Sequence, residues 1–397
     1  MTVRVNKPAF NIREKLSELE KPIGMKGADL MKSETVKDAR GFISAGRKNL
    51  VINGDLRIWQ RSISSTINTA VNTIHQTADR WNNYHNTGGS VTEARSTDVP
   101  PGQGFYYSLK HTVTSSDTSM GVGDYHCHRY DIEGYDVAHL MWGTPYAKPI
   151  TVSFWVKCSV PGDYGFCVRP GENNNRLYVD TITIIQPNTW KKYSFIVPGC
   201  TDGTWDKTNG RGIQIQISHA MGTDYQTSAL RTWIGSLDVS PTTQVNWMAS
   251  SGNTWYITGL QVEEGTNATE FEHRSYGEEL LLCQRYYWEI GSYQSGNWAV
   301  VGIFIGGSAT RAFGTIPTPV TMRGAPAITF SQVNLHDTGT VDVTDLTYYS
   351  QTGRNGEYNG LSFEANASSG IGDGAVHRMH VKNVGGTSGY IRFNAEL

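Results

Sequence analysis

Thr151-Val-Ser-Phe-Trp-Val-Lys-Cys158 alternates Val152, Phe154, Val156 and Cys158 with Thr151, Ser153, Trp155 and Lys157. A period of two with one apolar face marks an antiparallel strand that covers a core on one side. Residues 212–218 repeat the pattern, with Ile213, Ile215 and Ile217 set against Gln214, Gln216 and Ser218. Residues 190–197 and 255–262 read the same way. Clusters of Gly, Asn and Asp separate these runs, and almost no helical periodicity interrupts residues 49–271. Regular short strands between turn clusters predict a β-sandwich of jelly-roll type.

Composition agrees. The 397 residues are 38% apolar and only 18% charged, with 43 Gly, 20 Tyr and 11 Trp, which favours turns and pleated sheets over helices. The net charge of −2 comes without a long basic run, so no nucleic-acid partner is expected. Met1-Thr-Val-Arg4 is not followed by the apolar stretch of a secretion signal. The most apolar run, about 298–305, is far too short for a bilayer, so no membrane insertion is expected. Five cysteines without a CxxC read as reduced, buried, small apolar residues, with Cys158 and Cys167 able to face each other across a hairpin.

Two helical regions flank this β texture. In residues 1–48, Ile12, Leu16 and Leu19 form one narrow stripe after an Asn11 cap and before Pro22. A second stripe holds Val36, Ala39 and Ile43. Helices this short are marginal alone. The segment is therefore either an unstructured leader or an anchor that folds against copies of itself or a larger assembly. The other region, residues 275–287, spaces Tyr276, Leu280, Cys283 and Tyr287 along one face, with Ser275 and Glu278 set for a capping box. More short strands follow. The expected order is thus a helical segment (1–48), a jelly-roll β-sandwich (49–274), and a linker helix with a second β domain (275–397).

Some stretches carry a resemblance. Asn49-Leu-Val-Ile-Asn-Gly-Asp-Leu-Arg-Ile-Trp-Gln-Arg61, with Ala78-Asp-Arg-Trp81, resembles the opening of the carbohydrate-binding-module-like jelly roll found in phage and prophage tail fibres. Leu260-Gln-Val-Glu-Glu-Gly265 and residues 268–287 are similar to the closing strand and linker of the same proteins. The leader, Val5 to Leu16 and Ser44 to Leu50, resembles leaders on structural proteins of marine phages, cyanophages among them. The resemblance implies a virion protein, a tail fibre or spike, that attaches to the host surface through glycans. It implies a homotrimer bound to other tail or head–tail junction proteins. A structural adaptor or head decoration fibre, or a glycan-degrading fibre, are the alternatives. Trp59, Trp81 and Phe271 are then expected in the core, with Arg61, Asp79 and Arg80 pairing at its edge. Virion anchoring falls to Ile12, Leu16 and Leu19, and the trimer interface to Tyr276, Leu280, Cys283 and Tyr287.

Catalytic signals are sparse. Glu263-Glu264 and Glu278-Glu279 are adjacent, whereas glycosidases need two carboxylates facing one bond across about 5–9 Å. No G-x-S-x-G, Walker or zincin motif occurs, and no enzyme is expected. His126-Cys-His128 is the one metal-like feature, because residues two apart share a strand face. In a trimer, three such pairs around the axis would give six nitrogens. His377 and His380 are weaker, being three apart on a strand. No cofactor is expected beyond a structural calcium ion of the kind jelly rolls often hold. Trp142, Trp155, Trp205, Trp233, Trp247, Tyr348 and Tyr349 are the candidates for sugar stacking, with the glycan site itself unassigned.

Overall fold

The computed structural model describes residues 47–397 apart from 69–70, 172–175, 292–297, 338, 353–357 and 385–386. The side chains of 71–74, 348–352, 358–361, 384 and 387 are also outside the description. The anchoring stripe Ile12, Leu16 and Leu19 therefore lies outside the described residues.

The chain is mainly β, as its alternation predicts. One sheet of the first sandwich joins β1 (Ser64–Ile67), β4 (Ser90–Ser96), β5 (Ser108–Ser115), β15 (Thr254–Glu264), β7 (Ile150–Cys158) and β10 (Lys191–Val197), in that order. The other joins β13 (Trp233–Ile234), β9 (Leu177–Ile184), β8 (Gly162–Pro170), β11 (Arg211–Met221), β6 (Tyr125–Glu133), β3 (Trp81–Asn86) and β2 (Val71–Ile74). A small parallel pair, β12 (Gln226–Thr227) and β14 (Ser240–Pro241), forms its own two-stranded sheet and packs over β8 and β9. The inward residues of β7 are the alternating ones, Val152, Phe154, Val156 and Cys158, all fully buried. Ile213, Ile215 and Ile217 meet them from β11 in the same core.

The stretches that carried the resemblance close this sandwich. Leu50 donates its N–H to Val262 O (2.9 Å), and Leu260 donates to Gly54 O (3.0 Å). Asn49 Oδ1 accepts from both Val51 N and Val262 N, each at 3.0 Å. A Cβ at Gly54 would run into the Leu260 carbonyl, so glycine is required there. Trp81 is buried, as expected. Trp59 and Phe271 are only half-buried, which corrects the expectation: Trp59 flanks the core, and Phe271 rests edge-on against Phe105 at 5.1 Å. Arg61 does pair with Asp79 (3.5 Å).

Ser275 caps a helix at Tyr276–Gln284 by accepting from Glu278 N (3.3 Å). The helix stops short of the expected end because Tyr287 already pairs with Asn394 in a strand. Its stripe, apart from Tyr276, turns toward the chain's own sandwich. Cys283 and Tyr286 are buried with Ile52 and Ile58, and half-buried Leu280 packs beside them. Tyr287 is buried too, under the Arg61 guanidinium (3.7 Å). The large apolar side chains the helix leaves exposed are Tyr276 and Leu281.

The second β unit sets a three-stranded sheet (Tyr287–Gly291, Tyr390–Asn394, Ala327–Ser331) against a larger one. The larger sheet runs Thr340–Asp342, Val333–His336, Val376–Val384, Trp298–Ser308, Arg311–Ile316, Tyr358–Asn366, Asp345–Thr352, with a short strand beside Val376–Val384. Phe304, Phe363, Phe393 and Met379 fill the space between the two. Ile303, Ile305, Phe313 and Val376 are exposed on its outer side. Ile305 is paired directly with both Phe313 and Val376, so these side chains form one apolar patch.

All five cysteines are free and buried. Cys158 and Cys167 do not meet. Cys158 belongs to the main core, and Cys167 to a smaller cluster on the other side of β8. Among the described residues, no helix is long and apolar enough to cross a membrane.

Candidate functional site

The outer face of the seven-stranded sheet is polar where sequence alternation makes it so, but much of it is covered. Residues 222–246 fold over part of it. Val239 from this cover packs on Cys127, Cys167, Leu177 and Val179, with Tyr225 and Leu230 alongside. Under and beside the cover runs a ladder of buried polar groups. Asn82 and Gln214 donate to the two Asp131 oxygens at 2.9 and 2.6 Å. Arg169 Nε donates to Gln214 Oε1 at 2.6 Å. On the next rung Arg129 Nε donates to Gln216 Oε1 (2.8 Å), and its guanidinium lies 3.3 Å from the centre of the Tyr84 ring.

The ladder ends in a cleft of about 230 Å³ lined by Tyr84, Tyr125, Arg129, Arg169, Gln216, Met221, Tyr225, Leu237 and Val239. Tyr125 and Tyr225 meet edge to face at 5.6 Å. Neither arginine pairs with a carboxylate among the described residues. Burial, with Arg129 beside it, pulls the Arg169 guanidinium down to about 10, so it keeps its charge at neutral pH. Two positive groups with no carboxylate partner among the described residues, next to tyrosine rings, suit a ligand that is flat-faced and anionic.

None of these residues was singled out from the sequence. The tryptophans that were singled out lie elsewhere. Trp142, Trp205 and Trp247 are buried, and Trp142 packs edge-on against Trp205 (4.5 Å) and half-buried Trp233 (5.4 Å). Trp155 is half-buried on β7, and the side chains of Tyr348 and Tyr349 are outside the described residues. The adjacent carboxylates are engaged structurally. Glu263 accepts from Thr269 N (2.9 Å), Glu264 from Lys148 (3.3 Å), and Glu279 accepts from the Asn53 N–H.

His126 and His128 do share a face of β6, but it is the inner face. They are 0% and 1% exposed inside their own sandwich, so they cannot line a threefold axis, and the six-nitrogen arrangement is corrected on that ground. Register brings other histidines to them. His85 on β3 is the direct partner of His126, His219 comes from β11, and His111 crosses from β5 in the opposite sheet. All five rings are buried beside Trp247 and Trp255. Among the described residues, ligand atoms of His111, His126 and His219 lie within 4.8 Å of one another. His377 and His380, three apart on one strand, point to opposite faces.

No family model and no curated protein matches this sequence. Solved structures do align with it. One is the enzymatically active domain of bacteriophage CBA120 tailspike protein 4, at 14% identity over 55% of this chain and 21% of that one, with a TM-score of 0.29. Another is a carbohydrate-binding module of family 4, at 15% identity over 54% of this chain and 98% of that one, TM-score 0.29. A third is the family 11 carbohydrate-binding module of cellulase Lic26A-Cel5E from Clostridium thermocellum, at 12% identity over 50% and 99%, TM-score 0.28. The likeness is too loose to carry any residue across. The chain spans about a fifth of the tailspike domain.

Proposed function

We propose that this chain is a virion attachment protein, a phage tail fibre or spike, whose first sandwich binds an acidic glycan of the host surface in the cleft of the seven-stranded sheet. The observation that carries the ligand class is the pair Arg129 and Arg169, held by glutamines beside tyrosine rings and without a carboxylate partner among the described residues. The resemblance of the opening and closing motifs to tail-fibre jelly rolls supports the setting. A hydrogen bond to a charged group contributes about 1.5–3 kcal/mol, which is about 10–100-fold in affinity. Arg169→Ala is therefore expected to weaken binding of a uronic-acid polysaccharide by that factor, read by calorimetric titration, while a neutral glucan binds poorly to both proteins. Equal binding of acidic and neutral chains, or no loss in the Arg129→Ala/Arg169→Ala double variant, would sink the assignment. Labelled antibody on intact particles tests the virion setting separately.

A homotrimer goes with this reading. The apolar patch of Ile303, Ile305, Phe313 and Val376 is the surface a second copy would cover, since soluble chains seldom leave such patches open. It lies on the second β unit rather than on the linker helix. Sedimentation of the full chain is expected to give a trimer, and Ile305→Asp to shift it toward monomer. A wild-type monomer at micromolar concentration overturns the proposal.

A further inference from the structure

Two nitrogens in the buried histidine cluster face each other as lone pairs. The tautomers follow from their neighbours. His85 Nε2 lies 3.2 Å from Gly89 O, and a carbonyl only accepts, so that nitrogen carries the proton. His85 Nδ1 is then a lone pair. It sits 3.1 Å from His126 Nδ1, which must be the N–H. His126 is left with a lone pair on Nε2. On the other side His111 Nε2 lies 3.0 Å from Glu93 Oε2, a carboxylate that also accepts from Thr77 and Asn83. His111 Nε2 is therefore the donor, and its Nδ1 is a lone pair. His111 Nδ1 and His126 Nε2 are 3.3 Å apart.

Two lone pairs this close in a fully buried site repel unless a cation or a donor lies between them. The separation is that of neighbouring ligands on a tetrahedral zinc ion, where Zn–N of about 2.0–2.1 Å places nitrogens about 3.3 Å apart. A third imidazole stands ready. His219 is fully buried with neither ring nitrogen hydrogen-bonded, and its ligand atom is within 4.8 Å of the other two. His128, 4.6 Å from His219 between ring centres, has no partner on either nitrogen and completes the wall. Orphaned ring nitrogens in a native core call for an explanation. Glu93 supplies the usual outer contact, a carboxylate that fixes the tautomer of a ligating histidine.

We propose that His111, His126 and His219 bind one divalent transition-metal ion, zinc by geometry, which staples the two sheets of the first sandwich together. Each ligand is fully buried, and the fourth tetrahedral position faces the buried, unpartnered His128, so no substrate can reach the ion and its role is structural. It does not depend on the glycan cleft, which lies on the opposite face of β6.

The test uses the full chain, purified without a polyhistidine tag or chelator. Elemental analysis is expected to find about one zinc per chain, as for a single closed site. Chelation should lower the melting temperature, and added zinc should restore it. Cobalt loaded in its place should show the visible bands of a tetrahedral site. Glu93→Gln is expected to weaken zinc binding about 10–100-fold, the range for outer-shell changes. His219→Ala should abolish the cobalt bands. If that variant does not fold, wild-type metal content and chelator sensitivity still decide the matter. A folded wild-type chain with no metal, and a melting temperature indifferent to zinc, overturns the proposal: a shared proton or a buried water would then bridge the nitrogens.

Discussion

Replacing Trp81 by alanine is expected to destabilise the first sandwich by about 3–5 kcal/mol, the range for truncating a core aromatic. For a unit of this size that corresponds to a melting temperature lower by about 6–20 °C. The indole is 2% exposed and meets Tyr130 and His128 edge-on, each at 5.6 Å. Its Nε1–H donates to Asn53 O at 3.2 Å. Asn53 sits at φ 57°, and its side chain donates to Ile58 O (2.8 Å) and Asp79 O (3.0 Å). Tyr130 in turn holds both Ile52 N (2.7 Å) and Ile52 O (2.8 Å). Loss of the indole therefore opens a cavity and also loosens the segment that closes the sandwich on β15. Trp59→Ala, at a half-buried position, should cost clearly less. Thermal unfolding followed by near-ultraviolet dichroism reads both. A Trp81→Ala protein that melts with the wild type would mean that the opening motif is not held by this ring.

The fold was legible wherever one strand face is polar and the other apolar, as in β7 and β11. The same signal misled where the polar face is buried. Arg129 and Asp131, with Gln214 and Gln216, alternate as a solvent face should, yet they lie under or beside the cover of residues 222–246. That cover has no periodicity of its own, so nothing in the sequence announces it. The histidine cluster was legible only as His126-x-His128, because two residues on one strand are the single case in which spacing fixes proximity. His85, His111 and His219 reach the pair through strand register and through sheet-on-sheet packing, which spacing does not encode. The linker helix was legible from its Ser275 cap. Its partner was not, because a stripe says which side is apolar and leaves open what it packs on.

Glu396→Gln is expected to cost about 3–5 kcal/mol, the effect of leaving a buried partner charge without its counter-charge. Glu396 accepts from Arg80 and from Arg61 (3.0 Å), joining the second β unit to the first. Arg80 is 1% exposed, lies 3.5 Å over the Tyr286 ring, and donates to Asp131 O at 2.7 Å. Burial alone would raise the Glu396 carboxyl, but Arg80, His75 and Arg61 outweigh it and hold the group well below the ordinary carboxylate range. A lowered folded value gives stability that is present above the unfolded value, about 4.3, and is lost as pH falls through the folded one. The stability difference between wild type and Glu396→Gln should thus be flat from about pH 7 to 5 and shrink only below about pH 4. Asp79 acts with the opposite sign. Burial, only partly offset by Arg61, pushes it up to about 6, so its contribution is full below the unfolded value and is lost as pH rises through about 6. Asp79→Asn should flatten the wild-type profile between about pH 4 and 6 without touching the low-pH limb. Denaturant midpoints across pH separate the two groups. Equal midpoints for wild type and Glu396→Gln at neutral pH would mean that the Asp131 carbonyl and the Tyr286 ring alone are enough to hold the Arg80 charge.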